Sequence, residues 1–332
     1  MFRWYGRSRI CIAYLADLKL SSTSRHQFVE AFQRSAWFTR GWTLQELLAP
    51  PDVLFCDGCW QPVGSKELVS SHSYHSQRPE RISLAQLTWH GDLTDVISER
   101  TKISVSFLRS RKSMEAASIA CKMSWAAHRV TTRVEDAAYC LLGIFSINIP
   151  LLYGEGDRAF LRVQEEIVRR SNDQSIFAWR LPRNKALRTM DIGAFAKAPS
   201  YFADCGRIEV FGGSQMNPFH STNIGVEMKA RLQPAQRENP ILMDGSLIYV
   251  LRLDRCWETV SGPPDHETTR PCEIAVIYLP GTQILRRIHT HEPSLKSIYP
   301  LAERGPHEEE DRMLYLAIGP DTMSMFDDDV IL

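Results

Sequence analysis

The apolar positions fall into blocks whose spacing changes along the chain. Residues 10–16, Ile-Cys-Ile-Ala-Tyr-Leu-Ala, form a short apolar run that predicts a buried strand. The polar stretch 21–26 leads into a helical segment around residues 27–36. Residues 42–48, Trp-Thr-Leu-Gln-Glu-Leu-Leu, predict a second short helix, stopped at Pro50-Pro51 because proline cannot donate to the helical ladder. Runs at 53–56 and 59–63 flank Asp57-Gly58, the signal for a tight two-residue hairpin. Residues 65–112 are polar, with one His-rich stretch and little periodicity. Residues 113–128 predict one helix rich in Ala and Met. Thr132-x-x-Glu135 has the capping-box pattern for a helix through Leu142, with Gly143 as its stop. Gly154-Glu155-Gly156-Asp157 opens another helix, to about residue 170. Phe160, Val163 and Ile167 share its inner face, and Glu165/Arg169 and Glu166/Arg170 are i,i+4 pairs on the outer one.

After Trp179 the period changes to two. Val226, Met228, Ala230 and Leu232 alternate with Glu227, Lys229 and Arg231, the pattern of a half-buried strand. Residues 247–253, 274–279, 284–288 and 313–318 are further strand candidates, separated by loops such as Ser261-Gly262-Pro263-Pro264. Residues 181–319 therefore predict a mostly antiparallel β region. No internal repeat is visible.

The length of 332 residues predicts about two domains, and 44% apolar with 23% charged residues is ordinary globular composition. The 39 basic and 39 acidic side chains cancel, which argues against coating nucleic acid or an anionic membrane. The cancellation is uneven: residues 1–180 hold 23 bases and 18 acids, while residues 307–332 hold eight acids and one base. No run reaches the roughly 18 apolar residues of a membrane span. Arg3, Arg7 and Arg9 before the apolar run resemble a signal peptide, but Asp17 and Lys19 follow with no cleavage site, so a strand explains them better. Eight scattered cysteines read as reduced core thiols, and the expected location is cytoplasmic.

Few residues present themselves for chemistry. Cys56-x2-Cys59 with His72-x2-His75 approximates a zinc site, but the His spacing is one short and a hairpin flanked by cysteines is the plainer reading. Gly154-x-Gly156 before a helix resembles a phosphate cradle without the rest of its motif, so a structural turn is expected. His289 and His291 read as a surface pair, and no Ser/His/Asp nucleophile motif is present. No metal is expected. Glu46 stands apart: a carboxylate between Leu44 and Leu47, beside Trp42, is in a setting that desolvates charge. The plainer reading is a solvated glutamate or a structural pair with Arg40.

The segment Trp37-Phe38-Thr39-Arg40-Gly41-Trp42-Thr43-Leu44-Gln45-Glu46-Leu47-Leu48-Ala49-Pro50 resembles the signature of the fungal HET (heterokaryon incompatibility) domain. Residues 1–5, 122–126, 131–139 (Thr-Thr-Arg-Val-Glu-Asp-Ala-Ala-Tyr), 150–156 (Pro-Leu-Leu-Tyr-Gly-Glu-Gly) and 173–179 resemble further stretches of the vegetative-incompatibility class. The weaker Ala198-Pro199-Ser200, followed by Phe202-Ala203, extends the resemblance past residue 200, so that it covers roughly residues 1–255.

That resemblance implies non-self recognition that triggers regulated cell death, acting with other proteins of the incompatibility system or by self-association. HET domains in turn resemble Toll/interleukin-1 receptor (TIR) domains, an α/β flavodoxin-like fold whose enzymatic members cleave NAD with a glutamate in a Trp-Cys-x-x-Glu-Leu helix. Trp42-Thr43-Leu44-Gln45-Glu46-Leu47 has that spacing, with Thr43 in place of cysteine, so the resemblance implies Glu46 as catalytic residue. Trp37, Arg40, Gly41, Trp42, Leu44, Gln45 and Leu47 would support it. NAD would be substrate rather than cofactor; oxocarbenium character on its ribose is what a carboxylate stabilises.

Two departures bear on this. The family's opening strands, with Ser-His-Thr-Trp-Gly-like and Asp-Thr-Cys-Cys-Ile-Asp-like sequences, do not occur here, and Ala36 stands where relatives often carry arginine. The expectation is the C-terminal portion of a HET domain at 1–110, a helical HET-associated region at 111–180, a β-rich extension at 181–319 and an acidic tail at 320–332. Without the first strands a sheet edge or apolar face should be exposed and a nucleotide pocket depleted. A protein acting by association is then the leading reading, with an NAD-cleaving hydrolase and an inactive truncated product as alternatives.

Overall fold

Alternation along four residues starts the first sheet. In the computed structural model, which describes residues 1–19, 24–67, 84–181, 193–211, 217–230, 232–234, 248–261, 267–278, 284–287 and 312–317, helix α1 (Phe2–Arg7) precedes strand β1 (Cys11–Tyr14). β1 buries Cys11 and Ala13 and exposes Ile12 and Tyr14. The chain divides into two compact units, residues 1–117 with 122–160, and residues 118–121 with 161–332.

In the first unit, α2 (Arg25–Arg34) opens on a capping box in which the Ser24 and Gln27 side chains take each other's backbone N–H. Its Phe28 and Phe32 are fully buried. A 3-10 turn at Ala36–Thr39 then adds Trp37 and Phe38, and α3 (Thr43–Leu48) follows. β2 (Asp52–Cys56) lies parallel to β1, and β3 (Pro62–Glu67) antiparallel to β2, in the order β1-β2-β3. Phe55 of β2 gathers the rings of Phe32, Trp37 and Phe38 at 5.2, 5.5 and 6.2 Å. The outer edge of β3 is covered: Val63 and Ser65 exchange 2.9 Å backbone bonds with His90, Gly91 and Leu93. Among the described residues, the outer edge of β1 has no strand beside it. Helices α4 (Thr94–Thr101), α5 (Val105–Arg109), α6 (Arg111–Ala116) and α8 (Asp136–Tyr139) follow in this unit, while α7 (Ile119–Ser124) and α9 (Arg158–Val168) have residues assigned to each unit.

Several local expectations change. Asp57-Gly58 does not make a two-residue hairpin. Asp57 Oδ1 instead accepts the amides of Cys59 and Gln61 at 2.9 Å, and Gly58 N–H donates to Leu18 O, so β3 begins only at Pro62. That five-residue connection holds Trp60 at φ +63°, a conformation that costs a bulky residue roughly 1–2 kcal/mol. The single helix expected at 113–128 breaks after Ala116, because Ser118 caps a new helix by accepting Cys121 N–H. The helix expected from Thr132 shrinks to α8, with no side-chain cap at its start. On α9, Phe160, Val163 and Ile167 are buried as expected, whereas Arg169 pairs with Glu166 at i+3, alongside the Glu166–Arg170 pair.

The second unit carries the predicted, mostly antiparallel sheet. Strands β4 (Ile208–Val210), β5 (Phe219–Ser221), β6 (Val226–Ala230), β7 (Leu232–Pro234), β8 (Ile248–Ser261), β9 (Glu267–Tyr278), β10 (Ile284–Arg287) and β11 (Arg312–Leu316) run in the order β4-β8-β9-β10-β11-β6-β5, with β7 on β8. Among the described strands of this sheet, only β10 and β11 pair in parallel. The alternating run 226–232 contributes to two strands: β6 pairs with β5 and β11, while β7 joins β8. Glu258 is buried beneath Arg180, which grips it at 2.9 and 2.8 Å, and Arg270. Burial opposes its charge, but the two guanidiniums hold its carboxyl below the usual range. Among the described residues no helix is long and apolar enough to cross a membrane.

Gly64 in β3 faces Leu93, and a Cβ there would lie 2.2 Å from Leu93 Cδ1. Gly64→Ala is expected to lower the free energy of unfolding by about 1–3 kcal/mol in urea titration; an unchanged midpoint would contradict this packing.

Candidate functional site

α3 has six residues, well short of the roughly 12–15 at which an isolated helix becomes even marginal. Its neighbours hold it. At the N-terminal end, Arg129 Nη1 donates to Arg40 O and Thr43 Oγ1, both at 2.8 Å. Gly41 N–H reaches Val130 O at 2.9 Å, and Val130 N–H returns to Thr39 O at 2.6 Å. Only glycine permits that approach, because a Cβ on Gly41 would stand 2.4 Å from Thr131 Cγ2. In the middle, buried Gln45 donates to Cys140 O at 2.7 Å.

At the C-terminal end, Lys66 Nζ donates to Leu47 O at 3.0 Å and to Pro50 O at 3.2 Å, and Arg111 donates to Ala49 O. These are the carbonyls a helix end leaves unpaired, and their partial negative charge suits cations. Lys66 is fully buried. Burial, helped by the nearby Arg111, lowers its pKa to about 8. Burial likewise lowers Arg129 to about 10.

Glu46 projects from this helix half-buried and accepts the Tyr5 hydroxyl on Oε1 at 3.1 Å. Burial and the Glu46 charge together push Tyr5 up to about 12 and the Cys11 thiol up to about 11. Oε2 takes no hydrogen bond from a described residue. The carboxylate is thus oriented by one phenol, with one oxygen left to accept a donor or face a developing cation. Arg40 is exposed and is not its partner. Of the other motif residues, Trp37, Gly41, Leu44, Gln45 and Leu47 are buried and Trp42 is half-buried. They build the helix and its seat. Tyr5, Lys66 and Arg129 were not legible as contributors, since each lies far along the chain from Glu46; Tyr5 falls within a stretch of family resemblance, but nothing in that stretch ties it to Glu46.

Residues 131–139 and 150–156 meet in a second cluster. The amides of Gly154 and Gly156, both at positive φ, donate to Glu135 Oε1 at 2.7 and 3.2 Å. The apparent phosphate cradle is therefore filled by the chain's own carboxylate. The backbone N–H bonds accepted by Glu135 hold its pKa below the usual value. Tyr139 Oη accepts Leu152 N–H and donates to Glu155, each at 2.8 Å; Tyr153 donates to Asp136, and Arg133 lies 4.6 Å over the Tyr153 ring. Cys56 is buried in β2 and Cys59 is exposed, while His72, His75, His289 and His291 lie outside the described residues.

Against known proteins, the chain is a homologue of a fungal incompatibility-class protein. That relative is the vegetative incompatibility protein HET-E-1 of Podospora anserina, 35% identical over 171 residues. The match takes in 50% of this chain and 11% of the relative, so the chain spans about a tenth of that protein's length. Residues 158–217 match a family model described as a domain of unknown function, DUF8212. No solved structure matches the chain.

Lys66 gives a signed pH test. Its folded pKa lies near 8 against 10.5 in the unfolded chain, so the unfolded state holds more protons between those values and stability contributed by this site rises with pH. Relative to Lys66→Met, the wild type should gain about 3 kcal/mol between pH 8 and pH 10.5 in urea titrations. A flat difference would place the lysine in water. Separately, Tyr139→Phe should cost about 1–2 kcal/mol by removing the hydroxyl that accepts Leu152 N–H and donates to Glu155; calorimetry showing no loss would refute that cluster.

Proposed function

We propose that this chain belongs to a fungal vegetative-incompatibility system, where it acts in the cytoplasm in non-self recognition and triggers regulated cell death through protein association. The observation that carries the reading is the 35% identity over 171 residues to a vegetative incompatibility protein. The structure supports it indirectly. The stretches that resemble the family fold onto one another, with the signature helix seated by Arg129 and Val130 and the 131–139 stretch clasping 150–156.

One observation favours a second reading, an NAD-cleaving TIR-like hydrolase. Glu46 is a carboxylate fixed on one oxygen by Tyr5 and open on the other, on a helix held at both ends. Such a group would stabilise the cationic ribose left by departing nicotinamide. Among the described residues the β1-β2-β3 sheet has three strands, fewer than the doubly wound sheets whose crevices bind nucleotides.

Expression of the chain in a fungal host, beside Glu46→Gln, separates these readings. Glutamine keeps an acceptor for Tyr5 and so preserves the fold. Association predicts cell death that survives the substitution, with no nicotinamide released by the purified chain. Release that disappears in Glu46→Gln, together with loss of death, would transfer the function to the enzyme. Absence of death with the wild-type chain would remove the incompatibility reading.

A further inference from the structure

Three consecutive apolar side chains stand in solvent on the first unit: Leu151 at 50% exposure, Leu152 at 52% and Tyr153 at 48%. Val134, at 58%, belongs to the stretch clasped against them. A run of three exposed apolar residues is a liability unless it has a use. Their exposure follows from the clasp. Glu135, Tyr139 and Asp136 turn their polar atoms inward, to Gly154 and Gly156 N–H, Leu152 N–H and the Tyr153 hydroxyl. What is left to face outward is apolar.

The same bonds make the surface stiff. Side chains from residues 135 and 139 fix the backbone at residues 152, 154 and 156, and Arg133 lies over the Tyr153 ring. A partner therefore meets leucines already in place and spends less entropy on ordering them. There is also room for one. A Cβ built on Gly154 or Gly156 would have nothing within 4 Å. These glycines serve their φ of +99° and +59°, and they leave the backbone between Tyr153 and α9 uncovered.

Charge selects the occupant. Residues 133–136 and 151–158 carry four carboxylates, on Glu135, Asp136, Glu155 and Asp157, against two guanidiniums, on Arg133 and Arg158. Arg133 is committed to the Tyr153 ring. An apolar patch with an acidic rim repels anionic lipid and nucleic acid. It also disfavours a two-fold dimer through this patch, which would set one acidic rim against another. What fits is an apolar segment with positive flanks.

We propose that Val134, Leu151, Leu152 and Tyr153 form a docking surface for a segment of another protein that presents apolar side chains bracketed by lysine or arginine. The surface rests on the association reading and gives it a place on the chain and a partner chemistry.

Titration of the full chain with two synthetic heptapeptides tests it, followed through the methyl resonances of leucine-labelled protein. One peptide has two leucine pairs bracketed by lysines; the other has glutamate at each lysine. The lysine peptide is expected to saturate with a dissociation constant of roughly 10–500 µM, to shift the Leu151 and Leu152 methyls, and to weaken as salt rises. Leu151→Ser combined with Leu152→Ser, both on exposed side chains, should weaken binding roughly ten-fold or more with the unfolding midpoint unchanged. Asp157→Asn keeps the shape of the side chain, removes its charge and should weaken binding roughly two- to three-fold. No saturation up to about 2 mM, equal binding of the glutamate peptide, or indifference to the leucine substitutions overturns the surface. So does sedimentation showing a dimer that the leucine substitutions dissociate, which would give the patch to a second copy. Should the leucine variant fail to fold, Asp157→Asn and the peptide pair still decide. In the fungal host, a wild-type chain that binds the lysine peptide yet causes no death removes the incompatibility reading and leaves the surface standing.

Discussion

The first unit turns on cations placed against backbone carbonyls. Lys66 and Arg111 sit on the C-terminal end of α3, and Arg129 ties Arg40 O to the Thr43 hydroxyl at its start. A six-residue helix cannot stand alone, so its persistence depends on these contacts and on the burial of Leu44 and Leu47. Burying a lysine without a carboxylate partner costs several kcal/mol in principle. The lowered pKa of Lys66 is that cost expressed as a weaker hold on its proton. Removing the amine would strand Leu47 O and Pro50 O, so the arrangement exchanges one penalty for another and gains a fixed helix end.

The same logic recurs with opposite sign and in the other unit. Glu135 supplies the anion for two glycine amides, filling internally a nest that elsewhere receives phosphate. In the second unit, Arg287 is buried over the Trp179 ring at 3.8 Å and donates to Phe177 O and Trp179 O. Burial lowers its pKa to about 9. Polar side chains thus pair with backbone groups that leave regular structure. The stretches of family resemblance coincide with these finished loops and with the helix between them.

Much of this was legible where the cause was local. A short apolar run gave β1 and alternation gave β6, Pro50-Pro51 ended α3, and the Phe160/Val163/Ile167 face predicted α9. What escaped was decided by distant partners. Glu135 looks like a capping residue for its own helix, yet its carboxylate goes to Gly154 and Gly156, 19 and 21 residues away. Asp57-Gly58 looks like a two-residue turn until Leu18 O claims the glycine amide. The break after Ala116 depends on Ser118, whose hydroxyl also donates to Ile208 O. Around the candidate site, Glu46 stood out because of its apolar neighbours and its resemblance. Tyr5, 41 residues earlier, became visible only once α1 was placed beside α3.

Amide hydrogen exchange across α3 measures most directly whether this helix is held from outside or merely sampled. The amides of α3, and Ala49 N–H on Gln45 O, should exchange in step with those of β2 around Phe55, through global opening of the unit. Exchange of α3 at the rate of an exposed loop, while β2 remains protected, would contradict the account. The helix would then be free to melt by itself, and neither Lys66 nor Arg129 would be holding Glu46 in place.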